Sequence, residues 1–82
     1  MPRFFFDFDS GQSRFTDEEG FDLPDVDTGR DEVLRTLGEI AKDALPKSDH
    51  QTFAAHIRDT SGSVAYTATV TVTGTWHEPR SE

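Results

Sequence analysis

Apolar residues recur at helical spacing in one stretch of this 82-residue chain, Val26 to Leu45. There Val26, Val33, Leu34, Leu37, Ile40, Ala41, Ala44 and Leu45 form a stripe, with Arg30, Arg35, Glu39 and Lys42 mostly opposite. The other patterned segments alternate at period two. A single helix covers only one face of an antiparallel sheet, so the stripe restricts the chain to a two-layer α+β domain. Pro24 steers Leu23 away from the helical region, Asp25 is a natural N-cap, and Pro46 ends the helix. Gly29 and Gly38 are weak points, each costing about 1 kcal/mol relative to alanine. Gly38 borders the stripe and is the expected place for a close approach to the sheet.

The alternating segments supply the sheet. Phe4, Phe6 and Phe8 share one face of an opening strand, and Phe5, Asp7 and Asp9 the other. Ser10 to Gln12 reads as a turn, and Ser13 to Thr16 as a short return strand with Phe15 inward. Asp17-Glu18-Glu19-Gly20 reads as a second turn, with Gly20 supplying a positive φ. Phe21 and Leu23 follow on one extended face, both expected to reach the core. Beyond the helix, Lys47 to Gln51 is a polar loop. Thr52 to Asp59 alternates with Phe53, Ala55 and Ile57 inward, and Asp59 to Gly62 is a hairpin turn. Ser63 to Thr73 is the clearest strand, with Val64, Tyr66, Ala68, Val70 and Val72 inside and Ala65, Thr67, Thr69 and Thr71 outside. The predicted order is ββαββ, an antiparallel sheet with one helix on one face. Residues 1–76 make one domain, and 77–82 read as a disordered tail.

Composition narrows the functions open to such a domain. A chain of this size buries about 60–65% of the surface its unfolded form exposes, which leaves little room for a deep cleft. The absence of cysteine removes disulfides, thiolate metal sites and cysteine nucleophiles. No signal peptide and no apolar run of the ~18 residues needed to cross a bilayer is present, so a cytoplasmic location is expected. The net charge of −8 argues against nucleic acid and anionic membranes as partners. Residues 17–32 hold eight acids (Asp17, Glu18, Glu19, Asp22, Asp25, Asp27, Asp31 and Glu32) against Arg30, a local charge of −7. Several of these acids fall in the first turns of the helix, where its dipole favours them.

Catalytic and metal-binding patterns fit poorly. Asp7-Phe8-Asp9-Ser10-Gly11 begins like a calcium loop, but glycine stands fifth and Gln12 sixth, where the loop needs a ligand and then glycine. His50, His56 and His77 are too dispersed for zinc. No nucleophile–base pair or glycine-rich phosphate loop is evident. The expectation is a non-enzymatic chain with no cofactor and no dedicated metal.

Met1-Pro2-Arg3 followed by Phe4-Phe5-Phe6, Asp17-Glu18-Glu19-Gly20, and Leu23-Pro24-Asp25 opening a helix resemble an uncharacterised family of small bacterial proteins. Its members start M-P-R-Y-F-F and carry D-E-E-G-x-E-L-P-D. The resemblance covers roughly residues 1–45, with Phe4 in place of the usual tyrosine and Asp22 in place of glutamate. It marks the acidic turn as a family hallmark and implies no activity.

The expected function is therefore a protein-interaction module with an unidentified protein partner or a second copy of itself. One candidate surface is the acidic group Asp17, Glu18, Glu19, Asp22 and Asp27. The other is the uncovered sheet face, with Phe5, Thr67, Thr69 and Thr71, together with its last-strand edge. Trp76 is expected to fold back onto the core or the sheet edge, a partner surface being the alternative. Gly20, Pro24 and Asp25 have structural roles. A small ligand or divalent cation held by the turn 17–25 is the alternative function.

Overall fold

The computed structural model describes residues 2–78. Strands β1 (Arg3–Asp9), β2 (Arg14–Phe15), β3 (Phe21–Asp22), β4 (His50–Arg58) and β5 (Val64–Thr73) form an antiparallel sheet in the order β2-β1-β4-β5, with β3 also paired to β1. Helix α1 (Val26–Ala44) packs on one face and is followed by a 3-10 turn, Leu45–Lys47. The ββαββ order thus holds, with β3 as a short addition.

The core is the layer between helix and sheet. Phe4 and Phe6 of β1, Phe53, Ala55 and Ile57 of β4, and Val33, Leu37 and Ala41 of α1 are all buried. Tyr66, Ala68 and Val70 of β5 pack half-buried at its margin. Two ends of α1 are closed as elementary hydrogen-bonding demands. The Asp25 carboxylate accepts from the Thr28 backbone N–H and from its hydroxyl, both at 2.9 Å. At the other end, the Gln51 amide donates to the Ala44 carbonyl at 2.8 Å and to that of Ser48 at 3.0 Å. No helix is long and apolar enough to cross a membrane among the described residues.

Several packing expectations are corrected. Phe15 is 58% exposed, because two-residue β2 is the outermost strand and α1 does not reach across it. Phe21 is 54% exposed and meets the core only by its ring, 5.1 Å from that of Phe6; Leu23 is half-buried, as its inward setting requires. The close approach between helix and sheet occurs at Gly29, not Gly38. A Cβ at Gly29 would lie 3.2 Å from Leu23, 3.3 Å from Ile57 and 3.4 Å from Phe6, whereas one at Gly38 meets open space. Another methyl there would require the side chains of Leu23, Ile57 and Phe6 to give by a few tenths of an ångström. Leu34 and Leu45, placed in the apolar stripe, are also exposed, and so is Val64, expected inside, which lies beyond the register shift of β5. Of the expected tail, His77 and Glu78 have no helix or strand, and 79–82 lie outside the described residues.

Candidate functional site

The acidic turn is built around Asp17, the buried polar residue of the described chain. On the edge of β1 opposite β4, β2 pairs Phe15 with Phe8, and β3 pairs Phe21 with Phe4. The return segment therefore takes six residue steps where β1 takes four, and the ladder is interrupted between them. Phe6 lies in that interruption, and its N–H donates to Asp17 Oδ2 at 3.1 Å. Asp17 Oδ1 accepts from the N–H groups of Glu19 and Gly20, each at 3.1 Å. One carboxylate thus supplies the acceptor that an uninterrupted ladder would have offered Phe6, and closes the turn. Gly20 has φ +77°, and a Cβ there would stand 2.8 Å from the Phe4 carbonyl oxygen, so both its conformation and its surroundings call for glycine.

A cation supports this arrangement from the outer sheet face. Arg58 Nε donates to Asp7 Oδ2 at 2.6 Å, and its Nη2 to Asp7 Oδ1 at 3.1 Å and the Asp17 carbonyl at 2.9 Å. Asp7 Oδ1 also accepts from the Asp17 N–H at 3.0 Å. The guanidinium carbon stands 5.1 Å from the centre of the Phe5 ring. Burial pushes both carboxyls up. In Asp17 the N–H groups of Gly20, Phe6 and Glu19, with the Arg58 charge, outweigh it; in Asp7 the Arg58 and Asp17 hydrogen bonds do. Both sit below the ordinary aspartate value of 3.8.

The acidic candidates consequently do not form one surface. Asp17, expected on it, is only 8% exposed and is committed to backbone groups. Glu18 and Glu19 are exposed on the turn, and the Glu19 carbonyl accepts from Arg3 Nη1. Asp22 pairs with Arg3 at 3.2 Å on β3, and Asp27 lies exposed in the first turn of α1. Among the described residues, no three His, Cys, Asp or Glu side chains come together as a metal site would require. The sheet-face candidates are also divided. Phe5 is half-buried beside Arg58, and Thr67 Oγ1 lies 2.9 Å from His56 Nδ1. Thr69 and Thr71 remain exposed on β5. Trp76, expected to pack, is 69% exposed beyond the end of β5.

Two other features are more suggestive of recognition. The first is β5, whose free edge runs for ten residues, VAYTATVTVT, without a charge, a proline or a glycine. Protected edges usually carry such residues or a bulge; β5 has one register shift, opposite Ile57 and Arg58, and pairs in unbroken register from Tyr66 to Thr73. The second is a groove of about 510 Å³ between the β2–β3 flank and α1. Phe6, Phe8, Phe15, Phe21 and Leu23 form its floor, and Thr28, Glu32 and Thr36 form a polar wall from the helix. It exists because α1 lies over β4 and β5, leaving the inner face of the β1 flank partly uncovered. Sequence reading missed it by placing Phe15 and Phe21 inside. The usable signal was the excess of phenylalanine in residues 4–21 over what one helix can cover.

The class defined by this geometry is a small two-layer α+β domain with one helix on an antiparallel sheet. Within that class the chain belongs to the family designated DUF6894, a domain of unknown function, which matches residues 3–71. No curated protein and no solved structure matches it.

Proposed function

We propose that the chain is a non-enzymatic interaction module that self-associates by pairing β5 of one copy with β5 of another. The observation that carries this reading is the ten-residue uncharged edge. Antiparallel pairing of identical strands is self-complementary and closes as a two-fold dimer. It would join two four-strand paths into one continuous sheet and satisfy the open backbone groups of both edges. Charge placement favours it. Residues 17–22 of the −7 window lie on the β1 flank, at the far end of the sheet order from β5, so the edges can approach without bringing those four acids together. A cytoplasmic location belongs to the same proposal.

Sedimentation equilibrium over a range of protein concentrations tests it. The expected result is a reversible dimer that changes little with added salt, because its contacts are backbone hydrogen bonds. Thr69→Lys combined with Thr71→Lys should give a monomer, since edge lysines oppose strand addition. A wild-type monomer at several hundred micromolar, or a dimer untouched by the lysines, would overturn the proposal. The alternative of a cation held at the acidic turn has no comparable support, because its central carboxylate is already occupied by backbone donors.

A further inference from the structure

The aromatic groove lies on the opposite flank from β5 and carries an independent reading. We infer that it is a docking site for a cationic amphipathic helical segment of another protein. Its floor offers phenylalanine and leucine surface to apolar side chains. Phe15 and Phe21 stand more than half exposed at 58% and 54%, an arrangement that continued burial would favour. The helical wall places Thr28, Glu32 and Thr36 four residues apart, a row about 12 Å long at 1.5 Å per residue. That length accommodates about two turns of a partner helix, which would insert apolar anchors at the i, i+4 and i+7 positions.

Charge selects the occupant. The lining includes two carboxylates, Asp17 and Glu32, and no base among the described residues. Asp17 is committed internally, but Glu32 is exposed and meets Arg35 in a surface contact at 3.2 Å. Such pairs are worth little and exchange readily. Asp27 extends the negative field in the first turn of α1, while Asp31 is paired with Arg30 at 3.3 Å. A second copy would bring an identical acidic window against this one, and an anionic lipid surface would be repelled in the same way. A segment with apolar residues on one face and lysine or arginine on the other satisfies both the floor and the rim.

The test uses the labelled full chain and two synthetic helical peptides of about 14 residues. Both carry the same leucine and phenylalanine face; one has a lysine and arginine polar face, the other a glutamate face. Saturable amide shifts at Phe15, Phe21, Thr28, Glu32 and Thr36 with the basic peptide alone are expected, with an affinity on the order of 100 µM. Phe15→Ser should weaken binding roughly ten-fold, as loss of an exposed aromatic anchor does. Glu32→Arg should weaken the basic peptide and admit the acidic one. Both positions are exposed, so circular dichroism should show an unchanged fold. Equal binding of the two peptides, shifts confined to β5, or no saturable shifts would each overturn the inference. So would Phe15→Ser abolishing dimerisation, which would assign the groove to a second copy. The lysine variants of β5 should leave peptide binding intact, separating this result from the fate of the β5 proposal.

Discussion

Along β1, the sheet edge facing away from β4 is closed in pieces. Two strands of two residues each pair with its ends, and the Asp17 carboxylate serves Phe6 between them. Along β5, at the other edge, ten residues run without a charge, and after one register shift near its start Tyr66 to Thr73 pair with β4 without a break. The first edge cannot accept an added strand, because its donors are already engaged and the intervening turn stands in the way. The second presents the template that such closure prevents. The contrast teaches that a small sheet can spend most of its irregularity on one side and keep the other uncharged and regular over most of its length.

The sharpest way to break this comparison is to remove the carboxylate. Asp17→Ala leaves the N–H groups of Phe6, Glu19 and Gly20 without their acceptor and should cost about 2–4 kcal/mol, read from urea unfolding. Exchange of the Phe6 amide should accelerate well beyond that of the β4 amides. A loss below about 1 kcal/mol would show that the gap is filled by something other than this side chain. Acid should do the same more gently, because a protonated carboxyl still accepts hydrogen bonds. Asp7 and Asp17 are both lowered from 3.8, so their stabilisation is present above that value and is lost as pH falls through the folded-state values. Asp9, Asp25 and Asp59 are lowered as well and add to the same trend. The melting temperature should therefore be nearly level from pH 7 to 5 and decline below about 4, less steeply in Asp17→Asn.

A smaller effect is expected from the cation behind the gap. Arg58→Met keeps apolar contact with Phe5 but leaves Asp7 without its charged partner, and should cost about 1–2 kcal/mol in the same unfolding experiment. The smallest belongs to the regular edge. Thr69→Lys should change the stability of the monomer by no more than about 0.5 kcal/mol, because the side chain is exposed and the β4 ladder is untouched. A large loss there would show that β5 is held by its outer face and would erase the distinction between the two edges.

Local patterns made much of the fold legible. Helix α1 ends one residue short of the expected Leu45 limit, and its Asp25 cap follows from a short-range preference. The turn after β4 is also local. Asp59 accepts from the Ser61 N–H at 2.9 Å and the Ser63 N–H at 3.1 Å, and Gly62 has φ +89°. What escaped was set by distant neighbours. Whether Phe15 is covered depends on where the helix lies across the sheet, which no spacing within residues 13–16 records. Gly29 and Gly38 look alike along the chain and differ only in what stands beneath them. Asp17 was half legible. Its bonds to the second and third following N–H groups are the signature of an Asx turn, which Asp-Glu-Glu-Gly advertises. Its bond to Phe6, eleven residues back, belongs to the register of the whole sheet.

The pairing of β1 with β4 also orders events in time. Asp7 and Arg58 meet across 51 positions of the chain, and the strands between them pair from Phe5↔Arg58 to Asp9↔Ala54. During synthesis the phenylalanine strand emerges first and waits roughly 3–10 seconds, at 5–20 residues per second, for the strand that completes its sheet. Through that interval neither its β4-facing edge nor its core face can be finished. Contacts of such long range slow folding, whereas the β4–β5 hairpin closes across a turn of a few residues. A fragment ending at Pro46 should therefore remain unfolded and prone to association, and the hairpin should be the surface on which the waiting strand and helix settle.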